Sequence, residues 1–153
     1  MSSMNDTGVA ADRASGRTSR THRLRRLAGT GVLATLAAMA ATTLAAALAK
    51  ALGVDFEVPD GGEAIPLSGF AVMTGVFSVV GVVIAAALLR WSTRPAERFV
   101  RTAVSLTVAS LVPPLLSGGD AATVTALLVA HLVAATVMIP AMARSLRTRP
   151  DDA

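Results

Sequence analysis

The chain has 153 residues, of which 53% are hydrophobic and only 16% charged, with a net charge of +4 and a mean hydropathy of +0.60. A water-soluble domain of this length carries about 25% charged residues, so the long uncharged stretches point to membrane spans of roughly 20 apolar residues each. The absence of cysteine excludes disulfide frameworks, thiolate zinc sites and cysteine nucleophiles, and the basic excess flanks the apolar runs, where topology needs it, which argues against nucleic acid as a partner.

Residues 1–24 are polar and rich in Ser, Thr, Gly and Arg. They offer too little apolar surface to offset ordering entropy, which predicts a disordered basic cytoplasmic tail. A membrane domain is expected over 25–146, with a second short tail over 147–153. The first apolar run, about 27–52, follows Arg23, Arg25 and Arg26; it is long but only moderately hydrophobic, being rich in alanine and threonine. Lys50 snorkels to its far interface. The second run, about 68–90, is the clearest span, closed by Arg90 and Trp91 as a headgroup boundary favours. The third, about 99–117, is the weakest, because Arg101 lies one turn inside it and Pro113 and Pro114 interrupt its far end. The fourth, about 121–143, is closed by Arg144, Arg147 and Arg149, with Pro140 placed to kink it.

Short connections make these runs antiparallel neighbours, so the expected fold is all-α, an antiparallel four-helix membrane bundle. The N-terminal tail, the connection "RWSTRPAER" and the C-terminal tail hold the arginines, with Arg101 just beyond. The first and third connections hold none, but carry Asp55, Glu57, Asp60, Glu63 and Asp120. The positive-inside rule then puts both termini in the cytoplasm of a multi-pass cell-membrane protein. A competing reading takes the basic start, the apolar run and "ALA" at 47–49 as a cleaved secretory signal, which would leave three spans. The run is about twice the usual 7–15-residue signal core, which favours the uncleaved form.

No nucleophile elbow, HExxH pair or phosphate-binding glycine loop is present, so no catalytic residue and no enzymatic activity are expected. No cofactor or metal is expected either. The acidic pairs "DFE" and "DGGE" of the first connection could hold Ca²⁺ loosely, but four carboxylates in a polar loop more often face water. "VDFEV" alternates like a short strand that would lay Val54, Phe56 and Val58 on the membrane or the bundle mouth. Gly69, Gly75 and Gly81 recur in the second run, which predicts close packing within the bundle. The basic second connection is a candidate contact for anionic lipid, with topology determination as the simpler account.

His131 is the one ionisable group deep inside a run. An unpartnered ring there is costly, so it is expected to face the bundle interior or a watery cavity. Aligning antiparallel runs by depth sets His131 near Ser78 and near Thr107 to Ser110. The prolines deprive the carbonyls of Ala109 and Ser110 of their helical donors, so His131 is expected to donate to that backbone, to Ser78 or to Thr107. These three residues, His131, Ser78 and Thr107, form the candidate binding set.

The basic entry at Arg25 and Arg26, the external "GVDFEV", the "PPLL" at 113–116 and "HLVAATVMIPAMAR" from His131 come in the order found in a known group. On these features the chain resembles an uncharacterised actinobacterial family of small four-span membrane proteins, domain of unknown function family 6069. The resemblance covers about Arg25 to Arg144 and implies fold and membrane location, with no activity attached. The expected role is that of a non-enzymatic structural, accessory or partner-binding subunit, with lipid bilayer, a membrane protein or a second copy as partners. The alternative is a small transporter or channel component with a polar interior around His131.

Overall fold

In hydrocarbon every backbone N–H and C=O must be satisfied internally, so uncharged runs of this length have one solution each, a continuous helix. The computed structural model describes residues 4–56 and 64–147, with side chains from residue 21 onward. Its elements are α1 (Met4–Ala51), α2 (Leu67–Trp91), α3 (Pro95–Ser110), the single turn α4 (Val112–Leu116) and α5 (Ala121–Arg147). Among the described residues there is no strand, and four helical segments are long and apolar enough to cross a membrane: Thr21–Ala51, Leu67–Trp91, Pro95–Leu116 and Ala121–Arg147.

Each boundary has a local cause. Pro95 occupies the first turn of α3, where its missing N–H costs nothing. The third helix therefore starts before the expected position 99 and shortens the connection from α2. Ser92 ends α2 by donating its N–H to the Leu88 carbonyl at 2.9 Å. Pro113 and Pro114 break the third span at Leu111, whose N–H turns to the Val108 carbonyl at 3.2 Å before α4 resumes. Asp120 caps α5 by accepting the Thr123 N–H at 2.9 Å. Helix α5 runs unbroken past Pro140.

At the N-terminus the expectation of a disordered tail differs from the structure, in which α1 is helical from Met4. No proline lies between Met4 and Ala51, and extending an existing helix gains one hydrogen bond per residue fixed without a new nucleation cost.

Helix α1 packs against both α2 and α5, and α3 leans on α5 and α2. Among the described residues the backbones of α1 and α3 do not come within 8 Å, so they lie across the bundle from one another, with α2 and α5 meeting on the shorter diagonal. Close approaches of Gly31 to Val82 and of Gly75 to Met39 show that α1 and α2 run antiparallel. The core divides into two clusters. At the arginine-rich end, Leu27, Ala34, Ala38, Ala85, Phe99, Met138, Met142 and Leu146 pack together. At the other end Phe56, Phe70, Ala46 and Ala130 form the second.

Phe56 fills the bundle mouth. It is 1% exposed, its ring meets Phe70 edge-on at 5.0 Å, and its backbone adopts a left-handed φ of 55°. The Ile65 N–H closes the connection on the Phe56 carbonyl at 3.2 Å. Val54 packs beside it without a strand, and Val58 lies outside the described residues. The outward faces are largely apolar, with Leu33, Leu44, Phe77, Val83 and Val108 all exposed. A soluble protein rarely exposes so much contiguous apolar surface, whereas in lipid such side chains gain nothing by hiding.

Candidate functional site

The polar side chains within the bundle are few, and each has a definable partner or lack of one. His131, on α5, is half-buried, with Nδ1 2.8 Å from the carbonyl of Leu127, one turn earlier on its own helix. A carbonyl only accepts, so the hydrogen sits on Nδ1 and the ring donates it. Thr107 donates to the Ala103 carbonyl at 2.8 Å, and Ser110 to the Thr107 carbonyl at 2.8 Å. Ser78 is buried on α2.

The expected donation from His131 to another helix is therefore not what the structure contains. Among the described residues no hydrogen bond joins His131 to Ser78, to Thr107 or to the carbonyls of Ala109 and Ser110. The physical reason is proximity: the carbonyl four residues back is within reach of a helical side chain in any environment, whereas an interhelical partner requires a matching rotation of both helices. The same preference turns Thr125 to the Ala121 carbonyl and Thr136 to that of Val133.

A polar contact between helices occurs elsewhere. Thr42, 1% exposed, holds the Ala38 carbonyl at 2.9 Å, and its Oγ1 lies 3.0 Å from Oγ1 of Thr74 on α2. The sequence signal lies in "AATTLAA", where the threonines lower the hydropathy of the run without showing which of them meets a neighbouring helix. The neighbouring Thr43 Oγ1, and Ser145 Oγ on α5, are buried without a hydrogen-bond partner. Close contact brings α1 and α2 together, since a Cβ on Gly31 would stand 2.8 Å from Val82 Cγ2, and one on Gly75 would stand 3.2 Å from Met39 Sδ. Gly81 faces open space, so only one of the three recurring glycines serves a tight approach.

Charge collects at the helix ends. Glu97 on the first turn of α3 accepts from Arg101 at 2.7 Å and lies 3.7 Å from Arg94. Arg101 thus reaches back toward the boundary, as expected of a snorkelling side chain, and finds a carboxylate there. At the opposite end Asp120 has its pKa lowered by the hydrogen bonds from Thr123, side chain first and backbone second. Among the described residues no three His, Cys, Asp or Glu side chains gather as a metal site. Glu57, Asp60 and Glu63 lie outside the described residues, and Asp55 is exposed.

This arrangement of four apolar helices can be set beside known proteins. The model of a family of unknown function, DUF6069, matches residues 22–148. The chain belongs to that family. The match takes in the basic entry, all four spans and the last turn of α5, so the family unit is the whole bundle and α1 is part of it. No curated protein and no solved structure matches the chain. Membership of DUF6069, together with the four apolar helices, makes this a membrane protein and attaches no chemistry to His131, Ser78 or Thr107.

Proposed function

We propose that this DUF6069 chain is a non-enzymatic accessory subunit of the cell membrane that binds a partner protein or a second copy of itself, with both termini in the cytoplasm. The observation that supports this reading is the inward economy of its polar groups. His131, Thr107 and Ser110 each spend a donor on the backbone of their own helix, and Thr42 pairs with Thr74. Among the described residues such bonds leave no convergent polar set from which a transported ion or a reacting group would take its ligands. The orientation rests on the arginine asymmetry, and contact with anionic lipid on the basic end of the bundle.

The test is reconstitution. Purified chain in sealed vesicles is expected to pass protons and small cations no faster than empty vesicles. Gentle extraction from native membranes is expected to release it in a complex of fixed stoichiometry, larger than the chain alone. A flux that disappears in His131→Ala while stability holds would replace this reading with that of a small transporter. The free Nε2 of His131 would then be its first candidate ligand.

A further inference from the structure

The close approach of α1 and α2 at Gly31 and Val82 has an open groove beside it on the outer flank of the bundle. The groove has a volume of about 300 Å³ and an almost wholly apolar lining, with Ala28, Gly31 and Val32 on one wall and Val79, Val82 and Val83 on the other. In a membrane such a groove is filled by hydrocarbon. What distinguishes this one is the charge at its end. Arg25 stands three residues before Ala28 and seven before Val32; Arg90 stands seven after Val83 and eleven after Val79. At 3.6 residues per turn, the spacings of seven and eleven put Arg25 within about 20° of Val32 and Arg90 within about 20° of Val83 and Val79, with Ala28 about 60° from Arg25. The depths agree as well. Measured from the Gly31–Val82 contact, Arg25 is about 9 Å and Arg90 about 12 Å toward the same end, at 1.5 Å per residue.

Both arginines are exposed, and among the described residues neither forms an ion pair. In the neighbouring basic turn Glu97 already engages Arg94 and Arg101, and Arg98 sits on α3, which does not line the groove. Uncompensated cationic charge therefore converges on the mouth of the apolar groove. Trp91, 77% exposed beside Arg90, marks the headgroup level there.

We propose that this flank is a binding site for one anionic glycerophospholipid of the same leaflet. Its acyl chain lies along the α1/α2 groove, and its phosphate accepts hydrogen bonds from the guanidinium groups of Arg25 and Arg90. Zwitterionic lipid presents the same phosphate with a compensating cation, so the site selects net negative charge. The proposal rests on the membrane location of the four helices and is independent of the accessory role.

Trp91 is the single tryptophan and the chain has no tyrosine, so its emission reports on this site without labelling. The full chain is placed in phosphatidylcholine vesicles containing equal mole fractions of either phosphatidylglycerol or phosphatidylcholine brominated on the acyl chain. The brominated anionic lipid is expected to quench Trp91 more strongly. Arg25→Gln and Arg90→Gln should each lower the relative binding constant about fivefold, whereas Arg94→Gln and Arg98→Gln should leave it unchanged. Ala28→Phe, at an exposed position, fills the groove with the arginines intact and should remove the preference. Equal quenching by the two lipids overturns the site. Equal weakening by all four arginine variants, or an unchanged preference in Ala28→Phe, reduces it to diffuse attraction and overturns it too. Failure of both brominated lipids to quench Trp91 would strike at the membrane reading itself, and with it the site.

Discussion

Thr42 and His131 each hold a carbonyl one turn back on their own helix, but only Thr42 also reaches across to a second helix. The difference sets the order of their energetic roles. Removing the Thr42 hydroxyl breaks the link to Thr74 and leaves that hydroxyl half-buried without it. Removing the His131 ring deletes a bond to a carbonyl that α5 already satisfies. Thr42→Val is therefore expected to lower stability by about 0.6 kcal/mol and at most roughly 1.7, with His131→Ala costing less, as measured by denaturing-detergent titration of the purified chain. The reverse order would mean that His131 has an interhelical partner. Asp120 has a role that depends on pH. Its carboxylate caps α5, and Thr123 holds its pKa below the ordinary 3.8. A depressed folded-state value means the stabilisation is complete above 3.8 and lost as pH falls through the lowered value. Asp120→Asn keeps a competent cap and removes the titration, so acid unfolding of the variant should show a weaker pH dependence below 3.8. An identical acid profile would show that the ionisation of Asp120 adds nothing to the cap. His131 was the conspicuous residue in the sequence and Thr42 was not, because composition shows which residue is costly to bury but not which way a helix turns it.

The helices themselves were legible from hydropathy because each must run far enough to cross about 30 Å of hydrocarbon. The second run, read as 68–90, is Leu67–Trp91, and the fourth, read as 121–143, extends to Arg147 because nothing in its arginine-rich end stops a helix in the interface. The break at Leu111 followed from the two prolines. Helix pairing was less legible, since glycines spaced at six residues gave no sign of which would meet a neighbour. Gly31 proves to be the tightest, with Val82 Cγ2 at 2.8 Å from the place a Cβ would take, whereas Gly29 has open space. Gly31→Ala should cost about 1–3 kcal/mol through forced separation of α1 and α2, because a β-branched neighbour has little rotamer freedom. Val82→Ala in the same chain should recover much of that loss, and Gly29→Ala should be neutral or slightly stabilising. Additive costs in the Gly31/Val82 double-mutant cycle would show that the contact is not what limits the approach. The third span is a separate case. Arg101 and the prolines make it the poorest to insert alone, so an isolated segment from Arg98 to Gly118 should insert inefficiently and improve when α2 and α5 are present, as scored by glycosylation of flanking reporter sites. Efficient insertion by itself would show that the arginine, paired with Glu97, costs less than its charge suggests.

On the scale of the whole molecule, alanines line much of the helix contacts and the larger core residues gather at the two ends of the bundle, while many leucines and valines face outward. Ala34, Ala38, Ala46, Ala85 and Ala130 are buried, while Leu33, Leu44, Phe77 and Val108 are exposed. That arrangement is what a hydrocarbon solvent permits, and it ties α1 to the rest. Leu27, Ala34, Ala38, Thr42 and Ala46 are buried at intervals along its span, so a cut after "ALA" at 47–49 would remove a wall of both core clusters. Helix α1 also runs continuously through those residues to Ala51, and a helical backbone has to unwind before a peptidase can take it. The purified chain is accordingly expected to keep its first span, which an intact mass would confirm and a product starting at Lys50 would refute. With four spans retained, both ends must lie on one side. The proposed cytoplasmic side rests on the arginines, since the tails and the α2–α3 connection carry them, while the α1–α2 and α3–α5 connections carry carboxylates instead. A chain without cysteine makes the assignment directly measurable. Single cysteines at Ser15, Gly61, Ser92 and Thr148 should react with an impermeant thiol reagent in intact cells at Gly61 alone, and at the other three only after the membrane is opened. Labelling at Ser15 and Thr148 with Gly61 protected would invert the bundle. Labelling at Ser92 together with Gly61 would mean that α2 does not cross, and the four-span architecture would fall with it.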